Sequence, residues 1–191
     1  SGGSPTFDFF GTVNNGGGLG SSPGLLAQIT GVDAATIDIS GPGVSALQGT
    51  GEGVSITNID NGAVGGSVIS LSNLELFGSD STGIDINDIG NVGLVGGTTI
   101  NITSAQIGGG VGLAGGPSGT GVAISAVDNG AAITLQNVNI DLQGATATGL
   151  AIGNVDNSTI TSLSSNITTQ STTVPAISID NADTLNLNFT S

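Results

Sequence analysis

Asp128, Asp156 and Asp180 are each followed by an asparagine, and each pair closes a short apolar segment. If those segments stack as neighbouring strands, the three carboxylates fall in one column, about 4.8 Å apart. Two chemistries use carboxylates at such a distance. A retaining glycosidase holds two carboxyl groups about 5 Å apart, one as acid–base and one as nucleophile. A calcium ion collects several oxygen ligands and gains from negative charge that nothing else neutralises. Asp60 begins the same column, Gly90 interrupts it, and Asp85, Asn87 and Asp88 form a second acidic cluster. Calcium candidates are therefore Asp128, Asp156, Asp180, Asp85 and Asp88. The plainer reading is structural, because Asp and Asn at strand ends satisfy backbone groups and tolerate left-handed conformations. On that reading Asn61, Asn91, Asn129, Asn157 and Asn181 form a turn column, and no residue is assigned a catalytic role.

Composition removes most other chemistry. The chain has no Lys, Arg, His, Cys, Met, Trp or Tyr. There is thus no Ser-His-Asp, Ser-Lys or Cys-His nucleophile system, no Schiff-base lysine and no P-loop lysine. Ordinary zinc, haem and iron–sulfur sites are excluded with the Cys and His. Fourteen acidic residues without a basic one give a net charge of −14, which repels nucleic acid and anionic membrane surfaces. Charged residues are only 7 % of the chain and its mean hydropathy is +0.34, which fits a folded protein rather than an acidic disordered tail. No apolar run is long enough to cross a bilayer as a helix. Neither the calcium-binding nonapeptide pattern nor an EF-hand loop occurs.

The elements that must position these residues are repeats. GVSITNIDN (53–61), GIDINDIGN (83–91), GVAISAVDN (121–129), GLAIGNVDN (149–157) and AISIDN (176–181) are versions of one motif. Their final asparagines are 30, 38, 28 and 24 residues apart, a spacing suited to the coil of a solenoid. A second motif follows the first: VISLSNLEL (68–76), TINITSAQI (99–107), AITLQNVNI (132–140) and, degenerately, TITSLSSNI (159–167) and TLNLNF (184–189). Within it the apolar residues alternate, as at Ile69 and Leu71, and then slip by one position to Leu74 and Leu76. The slip recurs after Ile102 and after Leu135, with Ser72-Asn73, Thr103-Ser104 and Gln136-Asn137 at the step. Val54 and Ile56 step to Ile59 in the same way. A strand that keeps its alternate side chains inward through such steps is turning corners.

The expected fold is all-β, a parallel β-helix of about six coils, roughly 29 Å long at about 4.8 Å per coil. Right-handedness is expected from the preference of parallel crossovers. Over roughly residues 24–191 the pattern resembles right-handed β-helix repeats of secreted bacterial surface proteins, including adhesins and autotransporter passengers. Residues 1–23, with Phe7, Phe9 and Phe10, lie outside the repeat and are expected to act as a cap or docking strand. The Gly-rich stretch 108–120 reads as a loop insertion. The last motif stops without a polar cap, so neighbouring coils of a longer parent chain, or copies of the chain stacked end to end, are the expected partners.

The resemblance implies an extracellular or cell-surface location and a structural or adhesive role, as a rigid stalk or passenger, without enzymatic activity or cofactor other than the calcium considered above. A self-assembling extracellular filament subunit is the alternative. Lesser alternatives are a polysaccharide-degrading β-helix enzyme using only carboxylates, and an ice-binding protein. Against the last, Thr146-Ala147-Thr148 has no matching ladder in the sequence. A carbohydrate ligand has no Trp or Tyr to stack on, and no receptor is indicated.

Overall fold

The computed structural model describes residues 6–10, 14–16, 27–40, 44–47, 53–61, 66–77, 82–90, 97–108, 119–128, 130–142 and 146–190. Among them there is no helix, and the strands stack as a parallel β-solenoid. Three ladders form its faces. The first holds β3 (Ala27–Val32), β6 (Val54–Ile59), β9 (Ile84–Ile89), β12 (Thr120–Val127) and the opening halves of β15 (Thr148–Leu163) and β17 (Ile177–Thr190). The second holds β1 (Thr6–Phe10), β4 (Thr36–Ser40), β7 (Val68–Ser72), β10 (Thr99–Thr103), β13 (Ala132–Gln136) and the closing halves of β15 and β17. The third holds β2 (Asn14–Gly16), β5 (Val44–Leu47), β8 (Leu74–Phe77), β11 (Gln106–Gly108), β14 (Asn139–Leu142) and β16 (Asn166–Thr169). Every pairing is parallel. β1 and β2 lie within the segment expected to cap the solenoid, and they pair with β4 and β5 as the outermost strands of their ladders.

Registration follows the apolar pairs. Ile56, Ile86, Ile124 and Ile152 form one inward column on the first face, and Ile69, Ile100, Ile133 and Ile160 another on the second. All are buried, as are Leu76, Ile107 and Ile140 on the third face. Each such aliphatic side chain contributes about 1.5–3 kcal/mol relative to exposure. A slip of one residue would turn a whole strand's apolar set outward, so the register is strongly specified.

The expected corners are present and share one backbone device. Asn73, Ser104, Asn137 and Ser164 stand between the second and third faces with φ of 57°, 57°, 52° and 47°. On the first face, Gly31, Asn58, Asp88, Ala126, Asn154 and Asn181 occupy one register position, all with positive φ. A single left-handed residue bends the strand and restarts its alternation one residue later, which is the slip seen between Ile56 and Ile59. Asn, Asp and Gly adopt this conformation with least strain.

The glycine that opens each first motif has a steric reason. A methyl group added at Gly83 would lie 2.6 Å from the Gly121 carbonyl oxygen and 2.7 Å from Ile107 Cγ2. At Gly121 the same addition would meet the Gly149 carbonyl oxygen and Ile140 Cγ2, both at 2.6 Å. At the column Gly53, Gly83, Gly121 and Gly149 the first face leaves no room for a side chain between itself, the next coil and the third face. The loop insertion expected at 108–120 lies, between Gly108 and Gly119, outside the described residues.

Candidate functional site

The structure keeps Asp60, Gly90, Asp128 and Asp156 at one register position, as expected, and displaces Asp180. Asp128 and Asp156 follow Val127 and Val155, which are in register, so they are neighbours on successive strands. Asp180 does not continue their column: it pairs with Gly153, and Asp183 is the residue in register with Asp156. The register is set by Ile177 and Ile179 pairing with Leu150 and Ile152, because burial of an apolar pair outweighs the match of a polar dipeptide. Asp88 belongs to the left-handed corner column, and Asp85 stands on the outer surface of the first face between Ser55 and Ala123. Asp88, Asp128 and Asp156, with Gly90, Ala126, Val127 and Asn154, line one shallow, open depression at this corner. Among the described residues, no group of three or more carboxylates stands close enough to hold a metal ion.

The asparagines divide in the same way. Asn181 takes the place of Asn154 one strand further on and donates from Nδ2 to its Oδ1 at 2.5 Å, so it leaves the column expected with Asn157. Asn157 has φ of 42°, and its carbonyl oxygen accepts from the Gly130 amide at 2.7 Å. Asn61 donates to Asn58 Oδ1 at 2.9 Å and to the Asp88 carbonyl oxygen at 3.3 Å, tying turn to corner. Asn91 and Asn129 lie outside the described residues.

Among the described residues the most enclosed carboxylate is Asp60, which is 2 % exposed. Its Oδ1 accepts from the Ala34 amide at 2.9 Å and the Ser67 hydroxyl at 2.6 Å. Its Oδ2 accepts from the Ser67 amide at 2.8 Å, the Gly66 amide at 3.2 Å and the Thr98 hydroxyl at 2.6 Å. Burial by itself would push this carboxyl up. The hydrogen bonds from Ser67, Thr98 and the Ala34 amide outweigh it and hold the group below its ordinary value of 3.8, since donors aimed at a carboxylate favour the charged form. A carboxylate saturated in this way has no lone pair left for a metal or a substrate. Its chemistry is that of a staple joining three successive coils. The motif marks Asp60 as one member of a column and misses this role. The available signal was Ser67 and Thr98, polar residues in an inward column that carries Ala35 and Ala131 on other strands.

The outer surfaces of the faces differ. On the first and third faces polar side chains bond one another along the ladders. Thr57 donates to Thr30 at 3.3 Å, Ser125 to Asn87 at 3.2 Å, Asn139 to Gln106 at 2.6 Å and Asn166 to Asn139 at 3.2 Å. On the second face, from β7 to β17, the outward residues form three regular columns. The middle one is Ser70, Asn101, Thr134, Thr161 and Asn188. On one side run Val68, Thr99, Ala132, Thr159 and Asn186, and on the other Ser72, Thr103, Gln136, Leu163 and Thr190. None of these fifteen is charged, in a chain with fourteen carboxylates. Asp38 extends the middle column on β4. Eight of the fifteen carry a hydroxyl, among them Thr159 and Thr161, a Thr-x-Thr on one strand that lies beside Thr134 on the next, and Asn, Gln, Ala, Val and Leu hold the other seven positions.

Comparison with known protein families, with curated proteins and with solved structures gave no match for this chain.

Proposed function

We propose that the chain is a structural segment of a secreted or cell-surface protein, a stiff β-solenoid stalk or passenger that spaces or presents adhesive surfaces. The observation that carries this reading is the continuity of the packing: the same inward columns of Ile, Val and Leu and the same left-handed corners recur on successive strands. Each coil then stiffens its neighbours, and length is added without changing cross-section. Right-handed winding belongs to the proposal and rests on the general preference of parallel crossovers. So do an extracellular location, which rests on the resemblance of the repeats to those of secreted surface proteins, and the absence of catalysis, for which the support is a chain without His, Lys or Cys. Calcium, if it takes part, would meet Asp128 and Asp156 as a bridging ion on the surface rather than in a dedicated cage.

One observation favours the filament reading as a second choice. Ile177, Ile179 and Phe189 continue the core columns on β17 and are 39 %, 48 % and 49 % exposed. A further coil of a longer chain or another copy would cover them equally well. Negative-stain electron microscopy of the purified chain over a concentration series, with and without millimolar calcium, separates the readings. Short rods of one length at every concentration support the stalk. Fibres that lengthen with concentration overturn it in favour of the filament, and calcium dependence of those fibres would assign the ion a bridging role.

A further inference from the structure

We propose that the outer surface of the second face, between β7 and β17, is a binding surface for ice. This goes beyond the structural reading and does not depend on it, since a stalk and a free-standing rod would present the same face.

Ice offers an array of water oxygens with fixed repeats and almost no net charge. A complementary protein surface must be flat, regular in two directions, free of ions and able to combine hydrogen bonding with apolar contact. A parallel sheet supplies regularity, with rows about 4.8 Å apart between strands and about 6.6 Å apart between alternate residues along a strand. Both repeats are comparable with oxygen spacings on ice planes. Ser70, Asn101, Thr134 and Thr161 fill the middle row; on one side Thr99 and Thr159 alternate with Val68 and Ala132, and on the other Ser72 and Thr103 precede Gln136 and Leu163. Threonine brings a hydroxyl and a methyl together, and its β-branch restricts its χ1, so each group is held near one place.

Two contrasts single out this face. Its hydroxyls make no side-chain hydrogen bond with other described residues, whereas the outer rows of the other two faces bond along their ladders. It is also uncharged over these five strands, although carboxylates such as Asp85 and Asp180 stand on the first face and Glu75 and Asp141 on strands of the third. Ionised groups organise their own hydration and would disturb an ice-like water layer. A methyl-and-hydroxyl array allows water to order at low cost. Flat crystalline polysaccharide is the competing partner, and it is disfavoured because none of the fifteen outward positions is aromatic.

The test is to grow ice slowly from a dilute solution of the purified chain, compare protein in the ice with protein in the liquid, and watch the shape of single crystals. Wild type should enter the ice and facet the crystals. The double variant Thr134→Tyr/Thr161→Tyr should be excluded from ice and leave crystals round, while Ala151→Tyr, on the first face, should behave as wild type. Circular dichroism and thermal unfolding confirm that each variant is folded, and Asn101→Lys, which adds charge without an aromatic, serves if the double variant is not. Exclusion of wild type from ice, or retention of ice binding by the folded face variants, overturns the proposal. Binding to microcrystalline cellulose or chitin without binding to ice would overturn it too, in favour of a polysaccharide surface.

Discussion

The Thr98 hydroxyl donates a 2.6 Å hydrogen bond to Asp60, 38 residues earlier in the chain, and the same carboxylate accepts from the Ala34 amide 26 residues before it. One side chain thus adds cross-coil bonds to those of the ladder and to the one that the Ser67 hydroxyl accepts from the Ala35 amide at 3.0 Å. Removing it strands several buried donors at once. Charge-assisted hydrogen bonds are worth about 1.5–3 kcal/mol each and water will satisfy part of the loss, so Asp60→Ala should cost about 2–4 kcal/mol in urea denaturation. Asp60→Asn should fall between wild type and Asp60→Ala, because one amide oxygen still accepts while the Nδ2 faces donors. Equal stability of Asp60→Ala and wild type would show that the staple carries no net energy.

Acid should act through the same group. Asp60 titrates lower in the folded than in the unfolded chain, so the unfolded state takes up its proton first as pH falls. Its contribution is fully present above the unfolded carboxylate value and is lost as pH falls through the lower folded value, with the decline starting near about pH 5. Acid also relieves repulsion among the other carboxylates, which works the other way. The quantity to measure is therefore the stability difference between wild type and Asp60→Asn across pH. It should shrink in acid, and a constant difference would remove the ionised carboxylate from the explanation.

Gly121→Ala tests the close approach between the first face and its neighbours. The new methyl would meet a backbone oxygen as well as a side chain, and the backbone cannot step aside alone because it belongs to the next coil. Overpacking of this kind costs about 1–3 kcal/mol. Thermal unfolding of Gly121→Ala beside Ala123→Gly, which removes a methyl on the same strand, separates crowding from a general sensitivity of β12.

A corner substitution tests the left-handed column. Asn154 has φ of 51° and accepts from Asn181. Asn154→Val places a β-branched residue in a conformation that costs about 1–2 kcal/mol for side chains that cannot relieve it. Asn154→Gly should lose only the side-chain bond. If the valine variant unfolds at the temperature of the glycine variant, the corner is not the strained element described.

The corners are legible in the sequence, because each left-handed residue leaves a one-residue slip in the apolar alternation. Ser72-Asn73, Thr103-Ser104 and Gln136-Asn137 each mark one. The Asp column holds at Asp60, Gly90, Asp128 and Asp156 and fails at Asp180, where the Asp-Asn dipeptide repeats in sequence but not in register. Ile177 and Ile179 carry the registration of β17, and counting from them puts Asp183, not Asp180, beside Asp156. The hydroxyl array on the second face was hidden for a different reason. Ser70-Leu71-Ser72 and Thr159-Ile160-Thr161 show its alternation along single strands, but the rows that join them run across strands roughly 30 residues apart, where no short pattern displays them. Asp60 was visible as a residue and not as a hub, since the identity of its partners depends on how the corner closes.

Thr120 pairs with Thr148, Val122 with Leu150 and Val127 with Val155. Excision of 120–147 would therefore bring β15 onto β9 with each aliphatic residue meeting an aliphatic one, Leu150 against Ile84 and Ile152 against Ile86. Duplication of the same segment would insert one more layer by the same joints. A gene encoding such a chain can change the reach of its product by recombination between repeats, in increments of one strand spacing, without passing through a misfolded intermediate length.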